Sequence, residues 1–115
     1  MEDKTTQDIK ISVAVLLMDM IKTDFVISYK EKEKFVKIFT SYYKTTQEEA
    51  SELFDKLCVK CEDLATHIGQ IKEQYKDDAM QIMTIMKHLN EMIFADWIED
   101  IEYARFEQIK NALVI

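Results

Sequence analysis

The chain has 115 residues, 48% hydrophobic and 32% charged, with 22 acids against 15 bases and a formal net charge of −7. This length and apolar share fit one globular domain and exclude a disordered chain, while zero prolines and a single glycine, Gly69, withhold the turn residues that β-hairpins need. The expectation is an all-α, compact single-domain helical bundle over residues 1–115. No apolar run is long enough to span a bilayer, and Met1-Glu2-Asp3-Lys4 lacks the basic-then-apolar order of a signal peptide, so a soluble cytoplasmic protein without membrane insertion is expected. The acidic balance argues against nucleic acid and suits cations or basic partners.

About six helices follow from the apolar spacing. The first, near 7–23, carries Ile9, Val13, Leu16, Leu17, Met20 and Ile21 on one face and Ile11, Val15 and Met18 on the other, which predicts a central helix. The second begins after Ser28-Tyr29-Lys30-Glu31, a capping-box spelling, and buries Phe35, Ile38, Phe39 and Tyr42 before ending near Lys44. Thr46-Gln47-Glu48-Glu49 is another capping box and opens a third helix striped by Ala50, Leu53, Phe54, Leu57 and Cys58. A thinner stripe, Leu64, Ile68, Ile71 and Tyr75, marks a fourth, interrupted by Gly69. The fifth, opened by Asp77 or Asp78, runs to about Ala95 through Ile82, Met83, Met86, Leu89, Met92 and Ile93. The sixth starts near Asp100 and offers Ile101, Phe106, Ile109 and Leu113.

Two stretches read almost alike: Asp19-Met20-Ile21-Lys22-Thr23-Asp24-Phe25-Val26-Ile27 and Glu91-Met92-Ile93-Phe94-Ala95-Asp96-Trp97-Ile98-Glu99. Asp24 and Asp96 are 72 residues apart, too far for a solenoid unit, so the repeat indicates two related helix-loop-helix halves. In the first copy Asp24 is followed by Ile27 and Glu31, and two carboxylates with a helix-end carbonyl could converge on a hard cation. The simpler reading of these acids is that Glu31 is the capping acid that reaches back to the Ser28 amide and Asp24 bonds loop amides. In the second copy Asp96 is followed by Glu99, Asp100 and Glu102, with Arg105 where a further acid would be wanted, and neither copy has the EF-hand order.

Thr23-Asp24-Phe25-Val26-Ile27 with Glu31, and Ala95-Asp96-Trp97-Ile98, resemble the two copies of a motif in the tellurite-resistance TerB-like domain family, an all-helical bacterial domain built as two similar halves. The family pattern is a small residue, Asp, Gly, any residue and Ile at the end of a hydrophobic helix, then Glu a helical turn later. The likeness spans roughly residues 9–113; both motif glycines are aromatic here, Phe25 and Trp97, and the second Glu position falls between Glu102 and Arg105. The resemblance implies a stress-response accessory protein with Asp24, Glu31, Asp96 and Glu102 as metal ligands. A divalent cation such as calcium, magnesium or zinc would be bound, the first copy before the second, and a protein partner would belong to a membrane-associated complex. It also implies an alternative, a structural helical interaction module, like the related domain fused to some co-chaperones, that has lost its ligands.

The remaining features read as packing. Cys58-Val59-Lys60-Cys61 continues an apolar stripe at the far end of its helix, where reduced core thiols are expected rather than a redox pair or a zinc site with His67 and His88. Met80, Met83, Met86 and Met92 are expected to fill the core, and Trp97 to lie as a lid over it. Lys30, Lys32, Lys34 and Lys37 alternate with acids and read as a solvated face. With no glycine-rich phosphate loop and no nucleophile beside a histidine in the sequence, an enzyme is not expected.

Overall fold

The computed structural model describes residues 2–22, 29–59, 63–93 and 100–114, apart from the side chains of residues 2–8, 93 and 100–102. The described residues form six helices and no strand: α1 (Glu2–Lys22), α2 (Tyr29–Ser41), α3 (Gln47–Cys58), α4 (Leu64–Gln74), α5 (Ala79–Ile93) and α6 (Asp100–Val114). The first helix begins five residues earlier than its apolar spacing suggested, because Glu2 to Thr6 extend it with polar residues that no hydrophobic pattern marks.

One buried cluster draws on all six helices. Val13, Ala14, Leu16, Leu17 and Met20 are fully enclosed on α1, with Val15 and Met18 buried on its other side. A helix apolar all round has to sit in the middle, and α1 packs against α3, α4, α5 and α6. On the flank, Phe35 stacks on Phe39 with ring centroids 4.7 Å apart and meets Phe54 of α3 edge-on at 5.2 Å. Each such burial stabilises the fold by about 1.5–3 kcal/mol.

Helix ends follow local chemistry. Thr46 completes its capping box: its hydroxyl accepts the Glu49 amide proton at 3.0 Å while the Glu49 carboxylate accepts from the Thr46 amide at 2.9 Å. Asp78, not Asp77, opens α5, accepting from the Gln81 amide at 3.2 Å. After α2 the chain reverses through Lys44, whose φ of 60° is left-handed, and this brings the Thr45 amide to the Phe39 carbonyl at 3.2 Å.

Several packing expectations are corrected. Met80 and Met83 are 72% and 59% exposed, because they turn to the outer side of α5 while Ile82, Ile85, Leu89 and Met92 take the inward positions. Met86 is partly buried against the core, so the core-filling role belongs to Met92 and in part to Met86. Tyr42 is 43% exposed instead of buried; it lies edge-on over His88 at 4.9 Å as a cover, and Tyr43 takes the inward place. Cys58 is a free, half-buried thiol whose pKa is raised by burial and by Asp55, as an inert thiol requires. Lys32 and Lys34 are drawn into ion pairs with Asp55 and Glu91. Cys61 and Trp97 lie outside the described residues.

Among the described residues three polar side chains are buried: Ser12, Glu31 and His88. The Ser12 hydroxyl donates to Gln70 Oε1 at 2.7 Å and accepts from His67 Nδ1 at 3.0 Å, which fixes α1 against α4. His88 sits 3.2 Å from the Tyr43 hydroxyl and between two tyrosine rings. Desolvation lowers its pKa below the ordinary 6.5; Glu91 opposes the shift, and Lys87 and Lys34 add to it.

Gly69 lies exposed inside α4 and a Cβ there meets nothing within 4 Å, so Gly69→Ala should stabilise the protein by about 0.8–1 kcal/mol through helix propensity. Chemical denaturation checks this, and a loss of stability would show that the α4 backbone is not regular at that point. For His88, the unfolded chain takes up the proton at a higher pH than the native one, so stability is present above about pH 6.5 and falls as the solution is acidified through and below it. Urea midpoints between pH 7.5 and 5.5 should drop more steeply for the parent than for His88→Phe; parallel curves would remove His88 from the account.

Candidate functional site

The candidate site occupies the passages from α1 to α2 and from α5 to α6. Asp24 and Asp96 lie outside the described residues, as does the side chain of Glu102, whose backbone belongs to the first turn of α6. Glu31 is therefore the one expected ligand with a described side chain. It is only 4% exposed, in the first turn of α2, and is the one buried carboxylate among the described residues. The cause is its register: Glu31 precedes Phe35 by four residues and Ile38 by seven, so it stands at the head of the stripe that faces the core. A capping acid ordinarily points to solvent, but this one points inward and is engaged in a polar or electrostatic interaction there.

The register also settles the second copy. Glu31 and Glu102, Lys34 and Arg105, Phe35 and Phe106, and Ile38 and Ile109 are each separated by 71 positions, one fewer than the 72 between Asp19 and Glu91. The second half is one residue shorter between its paired helices, and Glu102, not the position of Arg105, corresponds to Glu31. Arg105 is the counterpart of Lys34, a base in both halves, so it is not a lost acid.

Both bases have structural work. Arg105 grips Asp19 through Nε at 2.5 Å and a second guanidinium nitrogen at 3.0 Å, and also donates to Gln108 at 2.8 Å. Lys34 reaches Glu91 at 3.3 Å. Asp19 and Glu91 are the first residues of the two repeat copies. The acid ending each leading helix thus pairs with the base on the second helix of the opposite half, and α1 packs on α6 as α2 packs on α5. This crosswise clamp holds the ends of both passages. Sequence reasoning missed it because the partners are 86 and 57 residues apart, although the repeat itself carried the signal.

No group of three or more His, Cys, Asp or Glu side chains is placed to hold a metal among the described residues. His67 is oriented by Ser12 and His88 by Tyr43, each through Nδ1, so the two imidazoles are held by different elements. Ser12 does stand at hydrogen-bond distance from a histidine, but it has 0% exposure and gives its proton to Gln70, which withholds it from any substrate. An open groove of about 790 Å³ between α2 and α3 is lined by Lys32, Glu33, Val36 and Thr40, the face of α2 opposite Glu31.

The bidentate pair should be the stronger half of the clamp, since two parallel charge-assisted bonds fix the geometry that a single lysine contact leaves loose. A double-mutant cycle on Asp19→Asn and Arg105→Met should give a coupling energy of about 1 kcal/mol, and one on Glu91→Gln and Lys34→Met a few tenths. Equal couplings would contradict that ranking.

No curated protein and no solved structure matches the chain. No helix among the described residues is long and apolar enough to cross a membrane. The model of one family, described as tellurite resistance protein TerB, matches residues 10–109, nearly the whole chain and both helix passages. The chain belongs to the TerB family.

Proposed function

We propose that this TerB domain is a non-enzymatic stress-response accessory that binds a divalent cation at the α1–α2 passage and acts by docking to a protein partner, as part of a membrane-associated complex. The burial of Glu31 carries the cation half of this reading. A carboxylate removed from water is costly unless charge or hydrogen bonds compensate it, and a calcium or magnesium ion supplies the strongest compensation. An ionised carboxylate offers about four lone-pair positions, so an interaction made by Glu31 does not by itself exclude a cation. Asp24, seven residues earlier at the helix exit, is the natural second ligand, and Asp96 with Glu102 forms the equivalent pair in the other half. The complete burial of Ser12 and the engagement of both histidines support a non-enzymatic role.

A second reading, a helical interaction module without metal, is favoured by the crosswise clamp. Asp19–Arg105 and Glu91–Lys34 tie the passages together with the chain's own charges, so the halves stay joined without a bridging ion. Melting temperature with and without calcium, magnesium or zinc separates the two. A ligand that binds only the native state at one hundred times its Kd adds about 2.7 kcal/mol of stability. Cation should raise the melting temperature of the parent, Glu31→Gln or Asp24→Asn should abolish the rise, and Asp96→Asn should only weaken it. No response of the parent to any of the three ions, or loss of the response through Asp96→Asn alone, would leave the module reading in place.

A further inference from the structure

The exposed Met83 of α5 does not stand alone. Met83, 59% exposed, lines an open groove of about 350 Å³ between the α4–α5 turn and the end of α6, together with Tyr75, Ile82, Met86, Leu113 and the 56% exposed Val114. Met80, 72% exposed, lies one turn before Met83 on the same helix. Isolated exposed hydrophobic residues need no explanation, but a contiguous, concave and methionine-rich set does, because unbranched thioether side chains adapt to the side chains of another helix.

The charges at this groove run against those of the whole chain. Acids outnumber bases 22 to 15, yet the charged residues lining the groove are Lys72 and Lys76, one on each side of Tyr75. Among the described residues Lys76 pairs with Glu73 at 3.5 Å, an exposed contact that a better acceptor can displace, and Lys72 has no ion pair. A basic rim on an apolar floor is complementary to a segment with an apolar stripe flanked by carboxylates.

We propose that this groove docks an acidic amphipathic helix of a protein partner, its apolar stripe on Met83, Met86 and Leu113 and its carboxylates on Lys72 and Lys76. The inference deepens the partner half of the function above and is independent of the cation half, since the groove uses none of Asp24, Glu31, Asp96 or Glu102.

The test uses two synthetic helical peptides with leucines at i, i+3, i+4 and i+7, one flanked by glutamates and the other by lysines. Both are titrated into the full chain at 0.15 M salt, where distant charges are screened beyond about 8 Å, with EDTA present to remove cations. Fluorescence anisotropy should show the glutamate peptide binding about tenfold more tightly than the lysine peptide, against the chain's net charge. The methyl NMR signals of Met83 and Met86 should move while those of Met18 and Met20, buried on α1, stay in place. Met83→Glu should weaken the glutamate peptide by about tenfold or more, and Lys72→Glu with Lys76→Glu should reverse the preference between peptides. All three substitutions are at solvent-accessible positions, and thermal melts confirm folding. Equal binding of the two peptides, or binding indifferent to Met83→Glu, would overturn the proposal. So would a dimer of the free chain in sedimentation that Met83→Glu dissolves, because the groove would then belong to a second copy. Peptide binding that survives Glu31→Gln while a cation response is lost keeps the two halves of the function apart.

Discussion

The enclosure of α1 governs the structure. From Ile9 to Ile21 this helix buries residues on every side, so a polar group enclosed there must find its partner on another helix. Ser12 finds Gln70 and His67 on α4, and Asp19 finds Arg105 on α6. Hydrophobic burial alone would let the surrounding helices slide along α1 at small cost, since apolar contact has little direction. The two polar contacts, near either end of the buried stretch, give that contact a register.

The same logic makes the internal repeat physically intelligible. Two helix pairs of similar sequence could each close on themselves, with the acid of each leading helix meeting a base of its own half. The structure instead exchanges the partners, Asp19 with Arg105 and Glu91 with Lys34. An exchanged arrangement makes each half incomplete alone, which explains why the two copies share one core. The halves also differ in strength, because the guanidinium makes two parallel bonds where the lysine makes one.

Most of the fold could be read in the sequence, since helix positions depend on local periodicity and capping, both of which are short-range. The Thr46 capping box and the stripe of α3 are examples: Ala50, Phe54 and Leu57 are buried where the spacing put them. The exposure of Met80 and Met83 was less legible. On a helix apolar over a wide arc, periodicity does not say which edge of the arc meets the core and which meets water, and only the docking of α6 decides it. Tyr42 and Tyr43 posed the same problem at a helix end, where the left-handed turn at Lys44 ends the regular spacing. Of the candidate site, the sequence identified Glu31 but left its role divided between a cap and a ligand, although its place four residues before Phe35 already put it on the buried stripe.

That position carries a physical cost that spacing does not show. A carboxylate that served only to cap α2 could do so from the solvent side, where it would accept the same amide protons without desolvation. Placing it instead at the head of an aromatic stripe costs stability that capping alone does not require. Register gives Glu102 the same place on α6, ahead of Phe106 and Ile109, so the second half repeats the sequence arrangement rather than the accident of one residue. In sequence, then, an acid recurs in the first turn of the second helix of each half, four residues ahead of a phenylalanine. The crosswise pairing of Asp19 and Glu91 with bases leaves these two acids outside the clamp.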